Sequence, residues 1–149
     1  MRGRDVFFKS LTLHGVRHIF GNPGTTENPL LDALAGVPAI EYVVALHEGI
    51  AVGAASYYAR AGARTAVVSL HAAPGLGNGI GMVYNALKAG APMIVTAGQQ
   101  DTRMLRRDPI LAHDLVGMAA PVTKWSAQVQ SADEMDEVGT LAGNDSMSL

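Results

Sequence analysis

Short apolar runs alternate along the chain with longer segments in which apolar and small residues recur at helical spacing. The runs EYVVAL, TAVVSL and PMIVTA are apolar at nearly every position, which is typical of strands that are covered on both faces. The pattern predicts five strands, at Arg17–Phe20, Ile40–Leu46, Thr65–Leu70, Pro92–Ala97 and Val122–Val129.

Helical periodicity and small residues mark the segments between these strands. The predicted helices are Asp5–His14, Glu27–Ala35, Glu48–Ala61, Pro74–Ala89 and Pro109–Met118. Strands that alternate with helices favour right-handed crossovers and a parallel sheet with helices on both faces. The expected fold class is therefore α/β, a three-layer α/β/α arrangement around a mainly parallel sheet.

Composition narrows the functional classes. The 149 residues amount to about one domain, and 48% hydrophobic with 16% charged residues excludes a disordered chain. With a net charge of −2, the chain lacks the excess of basic residues that is typical of a nucleic-acid-binding protein. The absence of cysteine excludes disulfides, cysteine-ligated zinc and thiol catalysis, and no metal site is expected.

Two further observations bear on location and domain organisation. No apolar run reaches the roughly 18 residues that a membrane-spanning helix needs, and the first residues do not form a signal peptide, so we expect a cytoplasmic protein without membrane contact. Residues 1–130 are interpreted as one domain. Residues 131–149 carry only acidic charges, and the last of them, GTLAGNDSMSL, lack helical or strand periodicity, which predicts a frayed or truncated tail.

Candidate chemistry lies in three loops that follow predicted strands, where open α/β sheets bind their ligands. In Gly21–Glu27, Gly24 permits close approach of a ligand, although Thr25 or Thr26 with Glu27 also fits a plain helix cap. Glu48 follows the second strand and, taken alone, is explained as an acid in the first turn of a helix.

The third loop runs from His71 to Gly81 and places glycines at every second position from residue 75. Neither GxGxxG nor GxxxxGK[ST] occurs, so a dinucleotide or nucleotide loop is not indicated. By itself, His71 is better explained as a hydrogen-bonded loop histidine than as a catalytic residue.

Five segments in fixed order make a specific combination: GNPGTTENPLLDAL, ALHEGIAVGAASYYAR, SLHAAPGLGNGIGMVYNA, PMIVTAGQQDTR and TKWS. From about Gly3 to Val129 the chain resembles the N-terminal, pyrimidine-binding domain of thiamine-diphosphate-dependent enzymes, and most closely the benzoylformate decarboxylase family. The resemblance implies decarboxylation of a 2-keto acid, with the cofactor as electron sink.

The resemblance also assigns roles to residues. It implies that Glu48 hydrogen-bonds N1′ of the aminopyrimidine and so activates the cofactor, and that His71 exchanges protons near the substrate. Thr25 stands where the family has a substrate-binding serine. The implied cofactor-binding residues are Pro23, Gly24, Glu48, Pro74, Gly75 and Asn78.

The chain departs from the family in two places. Ser56 and Tyr57 stand where relatives have Asp-Gly, and the Gly-Asp-Gly motif of the family's diphosphate- and Mg²⁺-binding domain does not occur. The resemblance places that domain in a neighbouring subunit, so this chain is expected to supply the pyrimidine half of a shared site in a homo-oligomer. The alternatives are an acetolactate synthase-like domain and a non-catalytic interaction domain.

Overall fold

A parallel four-stranded sheet forms the centre of the computed structural model, which describes residues 2–135. The strands are β1 (His18–Gly21), β2 (Glu41–Val44), β3 (Ala66–Leu70) and β4 (Met93–Ala97). Their spatial order is β2-β1-β3-β4, and every neighbouring pair is parallel. Consequently the loops that follow all four strands emerge at one edge of the sheet.

Five α-helices cover the two faces. They are α1 (Gly3–Leu13), α2 (Asn28–Leu34), α3 (Glu48–Gly62), α4 (Ala72–Lys88) and α5 (Leu115–Ala119). Short 3₁₀ helices form at Thr25–Glu27, Leu105–Arg107 and Ala120–Val122. The predicted α/β class with helices on both sides of a parallel sheet is confirmed.

Two apolar clusters lie on opposite faces of the sheet. On one face, α1 contributes Phe8 and Leu11, which pack with Ile19 and Val67. On the other face, the small side chains of α3 let its backbone lie close to the sheet and to α4, because alanine adds little thickness between packed elements. These fully buried alanines are Ala51, Ala55 and Ala59.

The sheet has one strand fewer than the sequence pattern predicts. The expected strand Val122–Val129 is wrong: Ala120–Val122 is a 3₁₀ helix, and residues 123–130 form no regular structure. The segment instead forms one side of a cavity beside β4. A run with strand-like composition does not become a strand unless a neighbouring strand pairs with it, which sequence periodicity does not report.

The predicted helix Pro109–Met118 is also shorter than expected. The helix begins at Leu115, because the Asp114 side chain accepts a hydrogen bond from the Gly117 amide at 2.8 Å and caps the first turn. Among residues 2–135, no helix is long and apolar enough to cross a membrane. Most of the predicted acidic tail, residues 136–149, lies outside the described part of the chain.

Candidate functional site

The carboxylate of Glu48 is buried at the edge of the sheet where the strands end. Glu48 is the first residue of α3 and is 6% exposed. Its Oε1 accepts a hydrogen bond from Asn22 Nδ2 at 3.3 Å, and its Oε2 accepts one from Asn78 Nδ2 at 3.1 Å. No cation is among these partners. Burying a carboxylate against neutral amides is costly, which marks the position for a function beyond stability.

Glu48 is an acid in the first turn of α3, as the sequence predicts, but it is not the cap of that helix. The N-cap of α3 is His47, whose Nδ1 accepts a hydrogen bond from the Gly49 amide at 3.0 Å. Each oxygen of an ionised carboxylate can accept about two hydrogen bonds. Glu48 therefore retains acceptor capacity for a further donor.

His71 lies at the sharp turn between β3 and α4. The next residue, Ala72, has a left-handed backbone with φ of +48° and is fully buried. Such a conformation costs a non-glycine residue about 1–3 kcal/mol and tends to occur at functional sites. His71 Nδ1 lies 2.8 Å from Glu27 Oε2 and 3.2 Å from Thr26 Oγ1.

Glu27 makes a contact with His71 that sequence reasoning missed. Interpreted above as part of a helix cap, it does accept a hydrogen bond from the Gly24 amide at 2.8 Å. It is also 1% exposed, its Oε2 lies within hydrogen-bond distance of His71 Nδ1, and the Thr26 hydroxyl donates to it as well. Capping could be inferred from the sequence, but a contact between residues 44 positions apart could not.

Glycines make room for this arrangement at three positions. A Cβ atom at Gly24 would overlap the His71 ring, and one at Gly98 would overlap Thr26 Oγ1 and Glu27 Oε1. At Gly75, a Cβ would lie 3.3 Å from His71 Cβ and 3.4 Å from Glu48 Oε1. Gly75 therefore lies between the two predicted catalytic side chains, which the fold brings together although they come from different loops.

The remaining predicted residues are on the same loops but are less enclosed. Asn78 contacts Glu48 directly, as described above. Pro23 is half-buried, whereas Pro74 in the first turn of α4 and Thr25 in the 3₁₀ helix are exposed. The structure thus unites Glu48, His71, Gly24, Gly75 and Asn78.

A half-buried tyrosine, Tyr42, whose hydroxyl is buried, lies near Glu27. Burial raises the pKa of Tyr42 above its usual value of 10.0, an interaction with Ser69 lowers it, and the negative charge of Glu27 raises it further. Gly21 leaves space for the hydroxyl, since a Cβ there would overlap Tyr42 Oη.

Within residues 2–135, no group of three or more His, Asp or Glu side chains could hold a metal ion.

Comparisons with known proteins agree with this geometry. Residues 1–131 match the model of the N-terminal TPP-binding domain of thiamine pyrophosphate enzymes, thiamine pyrophosphate being another name for thiamine diphosphate. A Mycobacterium tuberculosis chain that bears the name of an acetolactate synthase large subunit is 38% identical over 91% of this chain. Benzoylformate decarboxylase from Pseudomonas aeruginosa is 39% identical over 86%. This chain spans 26% and 24% of their lengths, respectively.

A solved structure shows the same fold. The thiamine diphosphate-dependent 4-hydroxybenzoylformate decarboxylase from Rhodococcus jostii superposes on 99% of this chain with a TM-score of 0.92 and 31% identity. This chain covers 28% of that structure. From the family match and these likenesses, the chain belongs to the N-terminal thiamine diphosphate-binding domain family of thiamine-diphosphate-dependent enzymes.

Proposed function

We propose that this chain supplies the pyrimidine side of the thiamine diphosphate site in a 2-keto acid decarboxylase of the benzoylformate decarboxylase kind. The observation that carries the proposal is the buried Glu48 carboxylate beside the Glu27–His71 pair. Within residues 2–135 the partners of Glu48 are neutral amides, whereas His71 contacts a carboxylate. Because their surroundings differ, the two groups are suited to different proton-handling tasks.

Glu48 fits the aminopyrimidine ring. The ring nitrogen N1′ must receive a hydrogen bond or proton, and Glu48 has the acceptor capacity and the buried setting in which such a bond is strong. Asn22 and Asn78 hold its two oxygens at 3.3 Å and 3.1 Å and thereby fix the carboxylate plane. When bound, thiamine diphosphate accepts the electron pair left as carbon dioxide departs.

His71 fits the exchange of a proton with the substrate. Because Glu27 lies 2.8 Å from Nδ1, that nitrogen is engaged as the donor, and Nε2 is left to give or take a proton. The exposed hydroxyl of Thr25, on the turn that carries Glu27, is the proposed substrate contact. The diphosphate and Mg²⁺ would be held by another domain or subunit.

The acetolactate synthase alternative remains the second candidate, because chains of that name are as similar as the decarboxylase. Decarboxylation leaves a nucleophilic carbon, and the decarboxylase needs a group that protonates it. In the acetolactate synthase reaction the same carbon instead forms a carbon–carbon bond. The Glu27–His71 pair therefore favours the decarboxylase. A non-catalytic interaction domain would not need a buried acid against neutral amides.

The proposal is tested by placing residues 1–130 in full-length Pseudomonas aeruginosa benzoylformate decarboxylase, in place of the matching domain. We expect Glu48→Gln to slow C2 proton exchange on bound thiamine diphosphate at least ~100-fold, the low end of a positioned acid–base group. Glu41→Gln is the matched control, because Glu41 is exposed and is the first residue of β2, at the end of the strand opposite to the site. Equal exchange rates in both variants would contradict the role given to Glu48.

The 149-residue chain alone is expected to show little or no decarboxylation of benzoylformate, because it supplies no diphosphate anchor. Isothermal titration with thiamine diphosphate and Mg²⁺ should show weak binding at most. Robust turnover by the purified chain would contradict the shared-site proposal while leaving the role of Glu48 open to the exchange test.

A further inference from the structure

The hydroxyl of Thr26 contacts both members of the Glu27–His71 pair. It donates a hydrogen bond to Glu27 Oε1, and its oxygen lies 3.2 Å from His71 Nδ1. The same ring nitrogen lies 2.8 Å from Glu27 Oε2. Thr26 is half-buried, so these contacts are partly shielded from solvent. The proposed function gives Thr26 no role, although it is the neighbour that the two side chains share.

The contacts around His71 Nδ1 determine where a proton must be. A hydroxyl has one proton, and because Thr26 directs that proton to Glu27 Oε1, its oxygen presents a lone pair to Nδ1. Glu27 Oε2 accepts a hydrogen bond from the Gly24 amide at 2.8 Å and presents a lone pair to Nδ1 as well. Since both oxygens beside Nδ1 are acceptors, Nδ1 has to carry a proton.

The Thr26 hydroxyl also satisfies one oxygen of a buried carboxylate. Glu27 is 1% exposed, so its oxygens depend on donors from the protein. Oε2 has the Gly24 amide and His71, whereas Oε1 accepts from Thr26. Gly98 lies directly against this end of the pair, because a Cβ there would overlap both Thr26 Oγ1 and Glu27 Oε1. Without the hydroxyl, Oε1 would be a buried charged atom lacking this donor, and such a carboxylate takes up a proton.

We propose that Thr26 is a positioning residue, whose hydroxyl keeps Glu27 ionised and thereby holds a proton on Nδ1 of His71. When the hydroxyl is removed, Glu27 takes up one proton from solvent and its O–H donates to Nδ1. Nδ1 then has no proton of its own, and the ring proton resides on Nε2. The consequence for catalysis rests on the proposed function, in which Nε2 gives or takes a proton: an Nε2 that is protonated in the neutral ring can give one but cannot take one.

Stabilisation of the turn alone does not explain the contacts of Thr26. Threonine hydroxyls that stabilise turns and helix ends bind neighbouring backbone groups. The Thr26 hydroxyl instead contacts two side chains, and His71 is 45 positions away in the sequence. Its contacts therefore serve the arrangement of the site rather than the local 3₁₀ helix.

Paired substitutions in the full chain, without cofactor, test the proposal. Thr26→Val keeps nearly the same shape and lacks the hydroxyl, whereas Thr26→Ser keeps the hydroxyl. Nitrogen NMR at neutral pH should show Nδ1 of His71 protonated in the unmodified chain and in Thr26→Ser, and unprotonated in Thr26→Val. Carbon NMR of the Glu27 carboxyl should show the ionised form in the first two proteins and the protonated form in Thr26→Val. Thr102→Val makes the same change at an exposed threonine and should alter neither signal.

The unmodified chain by itself already tests the proposal, even if Thr26→Val does not fold. A protonated Glu27 or an unprotonated Nδ1 in that chain would overturn it. Unchanged signals in Thr26→Val, or the same change in Thr26→Ser, would show that Thr26 only fills space. These measurements use neither thiamine diphosphate nor substrate. A negative C2 exchange test would therefore contradict the proposed function and leave the role of Thr26 standing, and the reverse also holds.

Discussion

His71 and Glu27 are 44 positions apart in the sequence, and the fold places His71 Nδ1 2.8 Å from Glu27 Oε2. The carboxylate is nearly inaccessible, at 1% exposed, so the pair is shielded from the water that weakens surface ion pairs. The contact between Glu27 and His71 holds the loop after β1 against the loop after β3. It also supplies the test of how His71 is positioned.

Glu27→Gln is expected to loosen the orientation of His71 and to lower the free energy of unfolding by about 1.5–3 kcal/mol, the range for hydrogen bonds to charged groups. Nitrogen NMR of the His71 ring should show the proton held at Nδ1 in the unmodified chain and shared between Nδ1 and Nε2 in the variant. Glu41→Gln is the control, because the Glu41 side chain is 77% exposed and lies 3.7 Å from His18. Unchanged His71 signals in Glu27→Gln would refute the positioning role.

Gly98→Ala should disturb the same pair by steric overlap. The added methyl would meet Thr26 Oγ1 and Glu27 Oε1, and overpacking of this kind costs about 1–3 kcal/mol. Gly81→Ala is the matched control: a Cβ there meets nothing within 4 Å, and alanine favours the interior of α4 by about 0.5–1 kcal/mol. Urea unfolding should show opposite signs for the two variants. An unchanged free energy of unfolding in Gly98→Ala would mean that Glu27 moves aside without loss of stability.

Tyr42 should make stability depend on alkaline pH. Burial raises the pKa of Tyr42 in the folded chain above its ordinary value of 10.0. The folded state therefore binds the phenol proton more tightly than the unfolded state does. The stability that Tyr42 contributes in this way is complete below pH 10.0 and is lost as the pH rises through the pKa of the folded state. Tyr42→Phe should flatten the decline of unfolding free energy above that pH, whereas Tyr57→Phe, at an exposed side chain, should not. Parallel declines in both variants would contradict the assignment.

Ala63→Gly should stabilise the chain. Ala63 ends α3 with a left-handed backbone, φ 46° and ψ 49°, and this conformation costs a residue with a side chain about 1–2 kcal/mol. Glycine removes that cost, and the residue is exposed, so little packing is lost. Ala61→Gly, two positions earlier and within α3, should destabilise by about 0.5–1 kcal/mol. A rise in Tm for the first variant and a fall for the second would confirm the cap geometry.

The local pattern of apolar and small residues was sufficient to predict much of the fold. The apolar run at β3 is completely buried, as its composition predicts, and the small residues of α3 pack against the sheet. The three loops singled out as candidates all lie at the carboxyl edge, because parallel strands leave no other place for them. The order of motifs along the chain was sufficient to indicate the thiamine-diphosphate-dependent family.

Tertiary structure alone decided the remainder. The Glu27–His71 contact depends on the spatial adjacency of β1 and β3, which are separated in sequence by β2 and α3. The run 122–129 has the composition of a strand, yet no strand among residues 2–135 pairs with it, and strand formation requires a partner for the backbone groups. Helix and strand periodicity report the burial of each segment separately. Pairing, by contrast, is a property of two segments at once, which is why the site's second carboxylate emerged only from the fold.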